Sequence, residues 1–151
     1  MKKTGKHILA IVASLAITIL MGNAAWSDAS SNDIFIIKTT SRSMTEVVTA
    51  VKSFAEKQKW VYLGDFKVKK GKVILVKFCV KAAGKKAWGA GLKVSAMLPC
   101  GSMGVYQKDG KTEISLLNPS YMNILYPNPN LKAAADLLAP LYKEMMETIV
   151  K

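Results

Sequence analysis

An uncharged apolar run at residues 8–21, set directly behind Lys2, Lys3 and Lys6, limits what the rest of the chain can be. Its 14 residues fall short of the ~20 that a membrane-spanning helix needs. Small residues follow at Gly22, Ala24, Ala25 and Ser27. A basic start, a short apolar stretch and small residues behind it are the three parts of a signal peptide. The sequence therefore predicts a signal peptide over residues 1–25, with Ala24 and Ser27 as the favoured cleavage positions. A polar linker follows over 26–32 and a single domain over 33–151, working in the periplasm or secreted. No cysteine lies near the junction to carry a lipid anchor.

Removing such a leader narrows the chemistry. The single histidine of the chain, His7, goes with it. A domain without imidazole has no Ser–His or Cys–His nucleophile pair and no histidine metal ligands. Ser41, Ser43, Ser95, Ser102 and Ser115 lack a histidine to activate them. The expectation is a binding or accessory domain more than an enzyme, with a thiol–disulfide redox protein or sensor as the alternative. Loss of Lys2, Lys3 and Lys6 takes 22 cationic side chains to 19 against ten carboxylates, a net charge of +9. A basic domain in an envelope space suits anionic surfaces or an acidic envelope protein partner. Nucleic acid is excluded as a partner by that compartment.

Periodicity divides the domain. Residues 34–37 are apolar throughout, which predicts a central strand. Ser43 and Glu46 stand at capping-box spacing ahead of Val47, Val48, Val51, Phe54 and Ala55, predicting an amphipathic helix over 44–58. Strand-like runs at 61–68 and 73–80 flank Lys69-Lys70-Gly71-Lys72, predicting a tight reversal. Residues 81–91, rich in Ala, Gly and Lys, fit a short helix or a loop, and 94–98 fit a short strand. Asp109-Gly110 between 102–107 and 112–117 is a hairpin turn signal. An irregular stretch follows over 118–129. Leu131, Ala134, Ala135, Leu138, Leu141, Tyr142, Met145 and Ile149 then mark a last helix over 131–150, with Pro140 inside it. This order predicts an α+β two-layer sandwich: a largely antiparallel sheet with two main helices packed on one face.

The segment Leu98-Pro99-Cys100, the hairpin around Asp109-Gly110 and the following Asn118-Pro119 resemble the family catalogued as domain of unknown function 302. The early amphipathic helix and a core strand ending in Cys79 are similar to it as well. The chain departs from the family where Cys79 is followed by Val80-Lys81-Ala82 in place of Cys-Asn-Pro. The resemblance spans about residues 34–150. It implies a compact α+β fold and a homodimer, with no established activity.

Three groups of residues are candidates for chemistry. Cys79 and Cys100 are the two cysteines, and an even count in an oxidising compartment points to a disulfide or a redox pair. Met97 and Met103 bracket Cys100, so the same thiols with a thioether would suit Cu(I). Side chains three apart on a strand point to opposite faces, however, so both methionines cannot be assumed to converge. The third group is Lys81, Lys85, Lys86 and Trp88, within an interval from Asp65 to Asp109 that holds ten lysines and no carboxylate between its ends. It fits an anion- or membrane-surface site, or simply a solvated face. No Cys-x-x-Cys and no phosphate-loop glycine pattern is present.

Overall fold

The computed structural model describes residues 33–98 and 102–151. The expected leader at 1–25 and linker at 26–32 lie outside the described residues. Five strands form one antiparallel sheet: β1 (Phe35–Thr40), β2 (Val61–Val68), β3 (Val73–Cys79), β4 (Ser102–Lys108) and β5 (Lys111–Leu117), in the order β1-β5-β4-β3-β2. The helices are α1 (Met44–Lys57), α2 (Lys81–Ala87), α3 (Tyr121–Leu125) and α4 (Pro129–Ile149).

The period-2 pattern of the inner strands sets the layers. Ile74, Val76 and Phe78 of β3, Met103 and Val105 of β4, and Ile114 and Leu116 of β5 are buried on one face. Against them lie Val47, Val51 and Phe54 of α1 and Leu131, Leu138, Tyr142 and Met145 of α4, all buried. Burying one such side chain fully stabilises the fold by roughly 1.5–3 kcal/mol. Among the described residues no helix lies over the opposite face of the sheet, which exposes Phe35, Ile37, Phe66 and Leu75. The expected α+β sandwich is the observed architecture.

Local chemistry explains the boundaries. Ser43 accepts from the Glu46 backbone N–H at 3.3 Å, and the Ser43 N–H donates to Glu46 Oε2 at 2.7 Å, completing the capping box of α1. Ser43→Ala should lower stability by about 1 kcal/mol, read as a shift in the urea midpoint. An unchanged midpoint would show that water replaces the cap at no cost. Asp109 at φ 51 and Gly110 at φ 75 both occupy the left-handed region, as a two-residue turn between twisted strands requires. The β2–β3 reversal does the same with Lys69, Lys70 and Gly71. In β2 the register shifts between Tyr62 and Gly64, and Gly64 takes φ 129 to make the bulge. Thr40 Oγ1 and Arg42 Nη1 donate to the carbonyls of Val150 and Ile149, tying the end of β1 to the C-terminus of α4, where a cation suits the helix dipole.

Three expectations are corrected. β1 is an edge strand, paired only with β5. Its continuous apolar run reflects one face on the core and another, with Phe35 54% exposed, on the uncovered side of the sheet. Residues 94–98 are not a strand. Leu92–Met97 is a 3₁₀ turn after Gly91 at φ 99, with burial at Val94 and again at half-buried Met97, a period of three. The stretch 118–129 contains α3, and its start is organised by Asn118. That side chain donates to the Asp33 carbonyl at 2.9 Å and accepts from Ser120 N–H at 3.1 Å, fastening the entry of β1. The undecided residues 81–91 form α2 followed by a single 3₁₀ turn, Trp88–Ala90.

Candidate functional site

Among the described residues, two places combine space with polar or reactive side chains. The first lies where β3 passes into α2. Val80 is the N-cap without a side-chain bond, and Ala83 and Ala87 turn their small side chains inward. Opposite them are Ala134 and Leu138 of α4. Small residues on α2, with Ala134 facing them from α4, leave a cavity of about 140 Å³, lined also by Cys79, Trp88, Leu98 and Met122. Its lining is almost wholly apolar, and a void near this size can accept a small apolar molecule. Lys81, Lys85 and Lys86 lie on the exposed side of the same helix, with Trp88 44% exposed at its end. Lys85 and Lys86 sit in the last turn of α2, where cations favour the helix dipole.

The second place is a shallow trough of about 370 Å³ on the uncovered face of the sheet. Its floor is Gly104, where a Cβ would stand 3.0 Å from Ser115 Oγ. Leu75 and Val73 form an apolar wall, and Lys77 donates to Ser102 Oγ at one end. Alongside, Tyr106 OH donates to Glu113 Oε1 at 2.6 Å and Lys108 Nζ pairs with Glu113 Oε2 at 3.2 Å. The Tyr106 bond, with help from the Lys108 ammonium and against desolvation, holds the Glu113 carboxyl below its usual range. The same bond, then burial, pushes the Tyr106 phenol up. Both shifts move these groups away from neutrality, so neither is poised as a general acid or base at neutral pH. The set fastens the β4–β5 hairpin.

The structure places Lys81, Lys85 and Lys86 on α2 and Trp88 at its C-cap, where the 3₁₀ turn begins. Cys79 ends β3 and borders the cavity. Cys100 lies outside the described residues, and so does any pairing made with it. Met97 is half-buried at the end of its 3₁₀ turn. Met103 is 1% exposed in the core, paired in register with Val76 and Leu116. It is thus on the face opposite to Lys77 and Ser102. Among the described residues no group of three or more His, Cys, Asp or Glu side chains could hold a metal ion. Lys77, Tyr106 and Glu113 are not singled out by sequence patterning, and Ser102 enters it only as a serine without a histidine to activate it. The signal for one pair was present: a two-residue turn at Asp109-Gly110 sets Tyr106 opposite Glu113.

The family model described as DUF302, domain of unknown function, matches residues 36–149. The comparison with curated proteins finds no match. Among solved structures, the crystal structure of an uncharacterized conserved DUF302 protein from Bacillus stearothermophilus is similar, with a TM-score of 0.69 and 17% identity. The match covers 78% of this chain and 98% of that chain. At that identity the likeness is one of fold.

Proposed function

The chain belongs to the DUF302 family, and from that premise we propose that it is an exported, non-catalytic binding domain whose Cys79 and Cys100 form an internal disulfide. The observation that carries this reading is the register of β3 and β4. The last paired residues are Lys77 and Ser102, and each cysteine lies two positions beyond its own member of that pair. The bond would close the base of the excursion that carries α2, its lysines and the wall of the apolar cavity. Export rests on the leader at residues 1–25, and an oxidising compartment supplies the bond. The absence of histidine from residues 33–151, and the shifts of Tyr106 and Glu113 away from neutral pH, support binding over catalysis.

A thiol count tests this reading. Protein recovered from the periplasm should show no titratable thiol until it is reduced under denaturing conditions, and should run as a single chain on a non-reducing gel. Two titratable thiols before reduction would overturn it. Elemental analysis for copper would then follow, because a pair kept reduced in that space needs a soft metal or a reductant to keep it so.

A further inference from the structure

The end of the molecule around α2 and α3 carries a surface that neither the cavity nor the cysteines explain. Leu92 is 83% exposed and Leu125 65%, with Ile124 and Trp88 also exposed. Single exposed apolar residues are ordinary, but several at one place mark a contact surface. These four come from two separate stretches of chain that the fold joins. Trp88 and Met122 line the same cavity, and Lys93 Nζ stands 4.5 Å from the centre of the Tyr126 ring, tying the neighbour of Leu92 to the neighbour of Leu125.

The charge around them is mostly positive. Residues 81–98 and 118–135 hold five lysines and no carboxylate. One of the five, Lys132, is engaged by Asp136 at 2.8 Å. The other four are Lys81, Lys85, Lys86 and Lys93, all exposed. We infer that this end docks on a bilayer surface rich in anionic phospholipid, with Trp88, Leu92, Ile124 and Leu125 entering the headgroup region and the four lysines meeting lipid phosphates. Tryptophan and leucine at the boundary with lysines beside them are the chemistry of interfacial attachment. Long lysine stems can follow apolar side chains inward while their ammonium groups stay at the phosphates. Among the described residues no helix is long and apolar enough to cross a membrane, so the attachment lies on the surface. A folded acidic protein is a poorer fit, because two strongly exposed leucines would need matching apolar pockets within an acidic patch.

Vesicle sedimentation tests the inference, using phosphatidylcholine vesicles with and without phosphatidylglycerol. Wild type and variants share the same N-terminal residues, so any contribution of residues 8–21 cancels in the comparison. Binding should require phosphatidylglycerol and weaken with added salt. The double variant Lys85→Glu/Lys86→Glu should bind at least about tenfold more weakly, and Leu92→Ser/Leu125→Ser should fall by a similar factor. All four positions are exposed, so the fold should be kept, which circular dichroism checks. Trp88 supplies a local readout: its emission should shift to the blue on anionic vesicles, and that shift should vanish in Trp88→Phe. Equal binding by wild type and both double variants, or no blue shift from Trp88, would overturn the inference.

Discussion

Phe78→Ala should destabilise the domain by about 3–5 kcal/mol, among the largest losses available from one side chain here. Phe78 is fully buried on the inner face of β3. Its ring stacks on Trp60 at 5.6 Å between centroids and meets Tyr142 edge-on at 5.8 Å. Trp60 in turn meets Phe54 edge-on at 5.4 Å. One cluster therefore joins the end of α1, the entry to β2, the end of β3 and the middle of α4. Removing the ring loses its transfer free energy and leaves a void that two rigid aromatic neighbours, Trp60 and Tyr142, cannot fill. Aromatic pairs add about 0.5–1.5 kcal/mol beyond area, and the truncation breaks two of them. Phe66→Ala is the matched control. Phe66 is 54% exposed on the uncovered face, and its loss should cost well under half as much. Urea denaturation of the two variants beside wild type decides the matter. A Phe78→Ala loss no larger than that of Phe66→Ala would mean the aromatic cluster is not the packed centre of the domain.

Phe78 and Phe66 also show where sequence reading stops. Both lie in strand-like runs, and nothing in either run says which face a helix will cover. Where the signal is local, the sequence is sufficient. Ser43 and Glu46 place the start of α1 because a capping box is built from residues three apart. Asp109-Gly110 places the β4–β5 turn because two successive left-handed residues strongly favour Asn, Asp or Gly. Where the outcome depends on distant partners, the same reasoning misleads. Residues 34–37 looked central because an apolar run fits burial on both faces equally well. Only the strand order reveals that Phe35 and Ile37 face an uncovered side. Val94 and Leu98 suggested a strand by residue type, yet the backbone at Gly91 redirects the chain into a 3₁₀ turn. The Lys77–Ser102 contact joins residues 25 apart through the register of two strands, and no spacing rule anticipates it. The cavity beside Cys79 is legible only as small residues on α2, Ala83, Gly84 and Ala87. What makes it a cavity is the small side chain of Ala134 on α4, about 50 residues along the chain.

Reduction of the cysteine pair should lower stability by about 3 kcal/mol in the chain-entropy account, the value for closing a loop of about 20 residues. The native state has reason to change little. Ala83 and Ala87 of α2 are buried and line the same cavity as Ala134 and Leu138 of α4, so the excursion is held by packing as well as by the proposed bond. The effect should therefore reside in the unfolded chain, which gains freedom when the loop opens. Two signs distinguish this from a loss of native contacts. The urea midpoint should fall on reduction while the dependence of stability on urea steepens, because an uncrosslinked chain exposes more surface when it unfolds. Reduced wild type should also match the double variant Cys79→Ser/Cys100→Ser measured without reductant, to within the small cost of placing a hydroxyl beside an apolar cavity. Coincident midpoints for oxidised and reduced wild type would show that no internal bond contributes. A large fall in the double variant with no response to reductant would show that Cys79 stabilises the domain by packing at the cavity wall and not through Cys100.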